Sequence, residues 1–403
     1  MPSLGKYRPL IAGLAAKPIT PSIVLALRKQ VGDEWSRELL EIISVQSKAN
    51  KKFGEGVWMA TARSIEQASD QVVANYKASL MGDRVVIDLC GGIGGDAMAL
   101  AKRGGVITID RDPKMTMMAS ENLKFIGASN AAAICADVTT YLSPEPVADH
   151  RIGFHIDPDR RPQDRRTSAP VAYEPSFAFV SSVIESSPAS IVKLAPAAEL
   201  TDSQAANVHR QWISFAGSVR EQTLLAGECI DHLSLRRGNR SAVRLMRDGS
   251  RQRFSPDRMS ASSHQSQPTA SLLRYIFDFD PAVRAAGLTV AFANENDLKC
   301  IGGPSGFFAS ETLPSNDQLM QCYEVFWSGP ADLKQVRKQI QQQSVRLLSI
   351  KVRNTDHDPA SLMKTLSADR SADGIPATLL IGRSPKGAYA ALARSTSAGS
   401  KWL

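Results

Sequence analysis

Cysteine is scarce in this 403-residue sequence, and no two cysteines form a C-x-x-C pair. A disulfide framework uses an even number of cysteines, and a zinc site uses closely spaced pairs of ligands. The odd number and wide spacing therefore argue against both kinds of site. The five cysteines are Cys90, Cys135, Cys229, Cys300 and Cys322. We expect no metal site and a cytoplasmic location, the default for unpaired cysteines.

Long hydrophobic runs are also lacking, since no apolar stretch approaches the roughly 18 residues of a membrane-spanning helix. Aromatic residues make up only 6% of the chain, which disfavours a base-stacking platform for single strands. The length predicts two or three globular domains, and 43% hydrophobic residues can give each a core. The net charge of +8 permits a nucleic-acid partner without requiring one.

The most informative feature that is present is a strand, a glycine-rich turn and a second strand. Val85–Leu89 is apolar and β-branched, and residues 90–95 contain four glycines. Glycine tolerates positive φ and lets a backbone approach a ligand closely. The next apolar strand ends at Asp110, 22 residues after Asp88. Doubly wound folds place a ribose-binding carboxylate at about this spacing, so the pattern predicts a nucleoside-cofactor site.

The charge around the glycine turn distinguishes between two cofactors. Residues 92–97 fit G-x-G-x-x-A, the motif of dinucleotide sites, which bind a pyrophosphate at the helix N-terminus. Asp88 before the turn and Asp96 in the first helical turn would repel a pyrophosphate. They suit the amino group and sulfonium of S-adenosyl-L-methionine. The charge therefore favours a methyltransferase over a nicotinamide oxidoreductase, with a turn that binds no cofactor as the third alternative.

Residues 88–96 resemble the first motif of class I S-adenosylmethionine-dependent methyltransferases, and Asp110 matches their second motif. Further segments resemble a narrower group of bacterial methyltransferase-like proteins with a C-terminal THUMP-like domain. Those segments are 48–54, 66–70, 157–161, 193–196, 280–285 and 377–381. The resemblance covers most of the chain from Lys48 onward. It implies S-adenosyl-L-methionine as cofactor and RNA as partner, because true THUMP domains bind structured RNA.

The resemblance also assigns roles at the carboxyl ends of the predicted strands. It implies that Asp88, Gly92 and Gly94 cradle the methionine moiety. Asp110 would hold the ribose hydroxyls, and Asp137 would meet the adenine. The full set of cofactor-binding candidates is Asp88, Cys90, Gly91, Gly92, Gly94, Asp96, Asp110, Arg111 and Asp137.

The catalytic candidates are Asp157 and Pro158, at the end of the predicted fourth strand. In similar enzymes that methylate nucleobase amino groups, an acid side chain and a proline carbonyl at this point orient the target nitrogen. Those enzymes continue with a second proline and an aromatic residue, whereas this chain has Asp159 and Arg160. The departure weakens the expectation that the protein methylates the amino group of a stacked base. An alternative is that Asp157 only caps a neighbouring arginine.

Covalent chemistry is not expected. RNA pyrimidine C5-methyltransferases, which have Asp-Pro-Pro-Arg at this position, need a cysteine nucleophile after the next strand. Residues 193–196 are Lys-Leu-Ala-Pro and contain no cysteine. We therefore expect a non-covalent mechanism.

Arginine is concentrated in two segments. Five arginines fall between 151 and 166, and eight fall between 236 and 258. Arginine binds phosphate bidentately, so the clusters fit an RNA backbone, while surface charge paired with nearby acids is the alternative. Lys193 either contacts substrate or is a solvated strand-end lysine. The substrate-binding candidates are Arg160, Arg161 and Lys193.

The alternation of strands and helices predicts an α/β fold with a doubly wound, Rossmann-like methyltransferase domain. We place a helical cap at 1–80, the methyltransferase domain at 81–249 and a serine-rich linker or mobile loop at 250–271. A smaller α+β region with the THUMP-like domain follows at 272–403. We expect a methyltransferase that acts on RNA. The alternatives are methylation of a small molecule or protein, or a non-catalytic RNA-binding protein that retains the cofactor fold.

Overall fold

The computed structural model describes residues 4–141, 147, 149–159, 169–256, 271–314, 319–366 and 374–396. The chain divides into two compact units. Unit 1 contains Met1–Gln211, Glu221–Asn239 and Arg247–Gly249. Unit 2 contains Trp212–Arg220, Arg240–Met246 and Ser250–Leu403.

Unit 1 begins with helices, as its apolar periodicity predicts. A 3₁₀ turn at Leu4–Tyr7 precedes α1 (Arg8–Ala15), α2 (Pro21–Val31), α3 (Asp33–Phe53), α4 (Ala62–Gln67) and α5 (Gln71–Met81). The apolar periodicity of residues 64–81 predicts one helix, but the structure has two, α4 and α5. The backbone is extended at Ala68, which ends α4, and Ser69 then donates a hydrogen bond to Asp96 at 2.7 Å. The break thus places a polar group beside the glycine-rich turn.

The doubly wound sheet follows in alternating order. Its elements are β1 (Val85–Leu89), α6 (Gly95–Leu100), β2 (Val106–Asp110), α7 (Pro113–Phe125), β3 (Ala131–Cys135), α8 (Val138–Tyr141), β4 (Ile152–Ile156), a 3₁₀ turn (Pro170–Ala172), α9 (Phe177–Ser186), β5 (Ala189–Leu194), α10 (Asp202–Ala206), β6 (His209–Phe215), β7 (Ser218–Gly227) and α11 (Glu228–Asp231). The strand order β3-β2-β1-β4-β5 is parallel throughout, and β7 lies antiparallel to β5. The order reverses between β1 and β4, which confirms the predicted α/β class and marks the switch point where such sheets bind ligands.

The core of unit 1 explains the apolar strands. All six residues of β5 are buried, as expected for a parallel strand covered by helices on both faces. Leu89, Phe154 and Val192 from three adjacent strands pack together beneath α9. Asp88 and His155 are buried polar residues within these strands, so they need internal partners.

Unit 2 is built on a second sheet. Its elements are β8 (Arg240–Leu245), β9 (Arg251–Phe254), β10 (Tyr275–Phe279), α12 (Pro281–Ala285), α13 (Thr289–Glu295), β11 (Lys299–Ile301), β12 (Phe307–Ser310), β13 (Met320–Pro330), α14 (Leu333–Gln342), β14 (Val345–Val352), α15 (Pro359–Leu366), β15 (Ile375–Ser384) and β16 (Gly387–Ser395). Seven strands form the sheet in the order β11-β12-β10-β13-β16-β15-β14. The apolar runs at 323–327, 347–352 and 378–381 predict strands, and these lie within β13, β14 and β15; a helix predicted over 331–342 corresponds to α14, which begins two residues later.

The expected linker at 250–271 is partly regular structure. Residues 251–254 form β9, which pairs with β8 and places Phe254 opposite Ala242. The Phe254 ring is buried and packs edge-on against Phe292 at 4.9 Å. This one aromatic side chain gives the segment enough apolar surface to form a strand. Residues 257–270 lie outside the described part of the chain.

Across the described ranges, no helix combines the length and apolarity that crossing a membrane requires. All five cysteines are free thiols.

A single buried amide ties the N-terminal helices to the glycine-rich turn. The Asn122 side chain accepts a hydrogen bond from Met59 N at 2.9 Å and donates to Met59 O and Ile93 O, each at 3.0 Å. Asn122 is fully buried on α7. It therefore satisfies three backbone groups that would otherwise lack partners in the interior.

We expect Asn122→Ala to lower the free energy of unfolding by about 2–4 kcal/mol, because buried backbone groups lose their partners. Urea denaturation measures the effect. Lys124→Ala, at an exposed position on the same helix, is the matched control and should change stability by less than about 0.5 kcal/mol. Equal losses in the two variants would contradict this role for Asn122.

Candidate active site

A cleft of about 810 Å³ opens at the carboxyl ends of β1, β2 and β4, within the size range of small-molecule sites. It lies at the switch point of the sheet, where the sequence placed the site. Ten predicted residues line it: Asp88, Cys90, Gly91, Gly92, Asp96, Asp110, Arg111, Asp137, Asp157 and Pro158. Arg160 and Arg161 lie outside the described residues.

The glycine-rich turn has the backbone that its sequence predicts. Cys90, Gly92 and Gly94 all have positive φ, at 60°, 55° and 83°. A Cβ at Gly91 would clash with Thr108 Oγ1, whereas a Cβ at Gly92 would meet nothing within 4 Å. Gly91 therefore allows close packing against β2, and Gly92 leaves open space for a ligand. Gly94 caps α6 and does not line the cleft.

Asp88 is held by the strands on either side of it. The register of β1 sets Asp88 opposite Thr108 on β2 and His155 on β4. Thr108 Oγ1 donates to Asp88 Oδ2 at 2.8 Å, and His155 Nδ1 lies 2.7 Å from Asp88 Oδ1. Asp88 has no exposed surface. The carboxylate that the sequence placed at the mouth of the turn is thus paired inside the fold.

Asp96 is paired in the same way, by a lysine that the sequence analysis did not identify. Lys77 Nζ on α5 lies 2.9 Å from Asp96 Oδ1 and 3.1 Å from Glu221 Oε1. Burial by itself would raise the pKa of Asp96, but the Lys77, His155 and Lys193 charges outweigh it and hold that pKa well below the usual value. Lys77 is only 1% exposed. The one sequence feature that indicated a buried lysine was its position among the apolar residues of α5. Its partners could not be identified from the sequence because they are distant along the chain.

These two pairs correct the electrostatic argument from the sequence. Asp88 and Asp96 are not free charges at the mouth of the turn. The cleft is nevertheless acidic, because nine carboxylates and only two arginines line it among the described residues. The acids are Glu66, Asp88, Asp96, Asp110, Asp112, Asp137, Asp157, Asp159 and Glu174, and the arginines are Arg63 and Arg111. The acidity that the sequence analysis attributed to Asp88 and Asp96 is therefore shared with seven further carboxylates around the cleft.

Asp110 and Asp137 occupy the predicted strand ends. Asp110 accepts hydrogen bonds from Gly92 N at 2.8 Å and Asp112 N at 2.9 Å. Burial raises the pKa of Asp110 despite these two bonds. Asp137 is exposed and accepts from the Thr139 backbone and hydroxyl, and these bonds lower its pKa. Both carboxylates face the same cleft.

Asp157 is bound by a buried lysine. Lys193 Nζ lies 2.7 Å from Asp157 Oδ2 and donates to Gln67 O at 3.0 Å. Lys193 is only 3% exposed, so the alternative of a solvated strand-end lysine is wrong. The chain beyond Pro158 is fixed by a short antiparallel bridge between Asp159 and Glu174.

The exposed side of the cleft carries one ion pair that was not predicted. Arg111 Nη2 lies 2.6 Å from Glu174 Oε2. Within the described ranges, no group of three or more His, Cys, Asp or Glu side chains could hold a metal ion.

The second arginine segment does not form one exposed track. Arg244 is buried, and Arg240 Nη1 donates to Ala286 O at 3.3 Å. Arg258 lies outside the described residues. Part of this cluster therefore serves the fold of unit 2 rather than a surface.

We expect Lys77→Met to lower the free energy of unfolding by about 3–5 kcal/mol, because two buried carboxylates lose their counter-charge. Chemical denaturation checks this, with exposed Lys102→Met as the control. Adding Asp96→Asn to Lys77→Met should recover part of the loss. A Lys77→Met variant as stable as the control would show that the pair does not hold the turn.

Two family models match separate parts of the chain. Residues 83–158 match a model described as RNA cap guanine-N2 methyltransferase. Residues 320–395 match a model described as THUMP domain-like. The first match runs from the start of β1 to Pro158, and the second covers β13 to β16.

Known proteins extend these matches. An uncharacterized S-adenosylmethionine-dependent methyltransferase of Mycobacterium tuberculosis is 25% identical over 357 residues, which cover 84% of this chain and 91% of that protein. The 23S rRNA uracil-C5 methyltransferase of Shewanella amazonensis is 29% identical over 109 residues, 27% of this chain and 24% of that protein. A crystal structure of a provisionally assigned methyltransferase from Porphyromonas gingivalis aligns with a TM-score of 0.75 over 96% of this chain and 97% of its own, at 20% identity.

The structural alignment shows the same fold, and the sequence matches agree with the glycine turn and strand-end acids at the switch point. Together the matches indicate an S-adenosylmethionine-dependent methyltransferase whose C-terminal region, residues 320–395, is THUMP domain-like.

Proposed function

We propose that the protein transfers a methyl group from S-adenosylmethionine to an amino nitrogen of RNA, without a covalent enzyme–RNA intermediate. The observation that carries the proposal is one continuous cleft with the glycine turn and Asp110 on one side and the lysine-held Asp157 with Pro158 on the other. We place the catalytic domain at 81–249, as the sequence suggested, and the THUMP-like domain within 272–403.

Support for RNA comes from the comparisons. The model that matches residues 83–158 is described as an enzyme of the RNA cap guanine N2, an exocyclic amino group. The Shewanella relative acts on 23S rRNA, and the C-terminal match is THUMP domain-like. The net charge of +8 agrees with a polyanionic substrate.

The residues present fit the cofactor. Open space beside Gly92 admits a ligand close to the backbone. A carboxylate has about four lone-pair sites, and the amides of Gly92 and Asp112 use two on Asp110, so it can still accept from two ribose hydroxyls. Asp137 would accept from the adenine amino group. When bound, S-adenosylmethionine supplies a methyl group activated by a sulfonium.

Because Asp88 is paired within the fold, we propose a different role for it from the binding of the methionine moiety that the motif suggested. Both of its oxygens already accept bonds from Thr108 and His155. We propose that Asp88 fixes the turn from beneath rather than binding the methionine amino group alone. Cys90, Gly91 and Arg111 complete the lining on this side. The nine acids of the cleft disfavour the diphosphate of a nicotinamide cofactor.

We expect Asp110→Asn to weaken binding of S-adenosylhomocysteine by about tenfold to a hundredfold, the value of hydrogen bonds to a charged group. Because burial raises the pKa of Asp110, wild-type affinity should fall on acidification at a higher pH than an ordinary aspartate would give. Binding needs the ionised carboxylate, so the affinity of Asp110→Asn should lose this pH dependence.

Isothermal titration calorimetry across the acidic and neutral range measures both effects. Asp83→Asn, an exposed acid before β1, is the control and should bind like wild type. NADH titrated in parallel should give no binding. Unchanged affinity in Asp110→Asn would remove the proposed ribose contact.

The acceptor side of the cleft is arranged for an amino group. Lys193 occupies Asp157 Oδ2 and fixes the orientation of the carboxylate. We assign Asp157 Oδ1 and the Pro158 carbonyl as acceptors for the two N–H groups of the target. Two such bonds direct the nitrogen lone pair toward the methyl group, a gain from orientation rather than from proton removal. Lys193 is a positioning residue here and not a substrate contact.

The C5 chemistry of the Shewanella relative is not proposed. It requires a cysteine thiolate, and Cys90 is the one cysteine that lines the cleft among the described residues. Burial and the charges of Asp110, Asp157 and Asp88 raise the pKa of the Cys90 thiol. A neutral, buried thiol in the glycine turn is a poor nucleophile.

We expect Asp157→Asn and Lys193→Met each to lower kcat about a hundredfold or more, with unchanged affinity for S-adenosylhomocysteine. The assay is transfer of radiolabelled methyl groups to total RNA from a strain that lacks this gene. Asp83→Asn is again the control. Label on protein or small molecules but not on RNA would overturn the proposed substrate, and cofactor binding without any transfer would indicate a non-catalytic protein.

A further inference from the structure

Unit 2 contains a second charged cluster, which the function above does not use. Asp278 on β10 is 3% exposed, and three cations converge on it. Arg284 Nη2 lies 2.8 Å from Asp278 Oδ1, and Lys351 Nζ lies 2.8 Å from Asp278 Oδ2. Arg353 donates from Nε and Nη2 at 3.0 Å to the two oxygens. One buried carboxylate therefore faces three positive charges.

The cluster joins strands that are not neighbours. Asp278 lies on the third strand of the seven-stranded sheet, and Lys351 lies on the seventh. Four strand spacings in a flat sheet would separate them by roughly 19 Å. The 2.8 Å contact shows that the sheet of unit 2 curls enough for the long side chain of Lys351 to reach Asp278. The fold is thus arranged to bring the three cations to one place.

The positive charge in this cluster exceeds what its acid can balance. The side chains of Lys351 and Arg353 are 28% and 31% exposed, so their unused N–H donors reach solvent. Arg284 Nε is buried and has no hydrogen-bond partner. Burial lowers the pKa of Arg284, and the Arg353 charge lowers it further despite Asp278. The next acids along the chain, Asp356 and Asp358, are exposed, and Asp358 caps α15.

A glycine-rich loop borders the same cations. Residues 302–306 read Gly-Gly-Pro-Ser-Gly, with positive φ at Gly302 and Gly303. Arg284 Nη1 donates to Ser305 O at 3.2 Å and Gly306 O at 3.1 Å, which ties the loop to the cluster. A Cβ at Gly303 would meet nothing within 4 Å, so its backbone is open to a ligand. Cations beside an open glycine loop are typical of phosphate sites.

We propose that Arg284, Lys351, Arg353 and the 302–306 loop form a phosphate-binding site that holds a backbone phosphodiester of the RNA substrate. Lys351 supplies a compact charge, and Arg353 supplies a planar fork with spare donors. The ligand adds the second negative charge that the cluster lacks. The assignment of the phosphate to RNA rests on the proposed function, whereas the site itself does not.

The acidity of the cleft explains why the RNA backbone would need a separate phosphate-binding site. Nine carboxylates line the cleft, and the cations that pair with Asp96, Asp157 and Glu174 leave it with an excess of acids, so a backbone phosphate entering it would meet repulsion. A neutral nucleobase does not. The affinity for the RNA backbone must then come from cations elsewhere on the chain, and the Asp278 cluster is such a group.

The test compares full-length Lys351→Gln, Lys351→Arg and Lys334→Gln with wild type. Lys334 is exposed at the start of α14, so its substitution removes the same charge elsewhere in unit 2. Lys351→Gln leaves two arginines on Asp278, and thermal unfolding of each variant checks that the fold is kept. Binding of a fluorescein-labelled RNA stem-loop is measured by anisotropy over a range of salt concentrations.

We expect Lys351→Gln to weaken RNA binding about fivefold to twentyfold and to reduce the slope of log affinity against log salt by about one. Lys351→Arg should retain wild-type binding, and Lys334→Gln should bind more tightly than Lys351→Gln. Equal binding by Lys351→Gln and Lys334→Gln would overturn the site. Equal loss in Lys351→Gln and Lys351→Arg would overturn its electrostatic basis.

Two further measurements separate the possible sources of the phosphate. Line broadening of inorganic phosphate in ³¹P NMR should depend on Lys351. If Lys351→Gln abolishes that broadening but leaves RNA binding unchanged, the site binds free phosphate and the RNA assignment is wrong. The methyl-transfer assay on RNA runs independently. If Lys351→Gln loses RNA binding but the wild-type protein transfers no methyl group to RNA, the proposed function is wrong and the phosphate site is still supported.

Discussion

The glycine turn depends on one buried ammonium group. Lys77 on α5 lies between Asp96 at the start of α6 and Glu221 on β7, and it is nearly inaccessible to water. The single charge of Lys77 therefore links three elements of unit 1. A buried ion pair stabilises little in total, but removing one partner leaves the other without compensation in the interior. The arrangement fixes where α6 begins and hence where the turn before it lies.

The same logic applies on the other side of the turn, where His155 and Thr108 hold Asp88. The acids closest in sequence to the glycines are thus used to build the turn. Asp110 and Asp137, which we propose as ligand contacts, line the cleft from the ends of later strands. The preference for a cationic cofactor is a property of the whole rim of the cleft. The motif by itself indicates the ligand class, but it does not show that Asp88 and Asp96 are already paired within the fold.

The sequence predicted those features of the fold that depend on a few adjacent residues. Apolar β-branched runs gave β1 and β2, and glycines gave the turn between β1 and α6, because burial and positive φ leave marks in a few adjacent residues. The pairs that define the site leave none: Lys77 is 144 residues from Glu221, and Lys193 is 126 residues from Gln67. From the sequence alone, a lysine among apolar residues is interpreted as exposed, because the carboxylate that pairs with it is brought close only by the fold. The break at 68–70 and strand β9 escaped prediction for a similar reason, since distant partners stabilise both.

Charge also shapes what an RNA substrate can do. Acids outnumber cations around the cleft, which disfavours entry of a polyanion, yet the chain carries a net charge of +8. The conflict is resolved if recognition is divided by chemistry: the uncharged base meets Asp157 and Pro158, and phosphates meet cations elsewhere. Such a division separates affinity, which depends on salt, from the orientation of the target nitrogen, which depends on fixed acceptors. The three cations around Asp278 are suited to the role we propose, because the buried acid keeps them together while balancing only one of their charges.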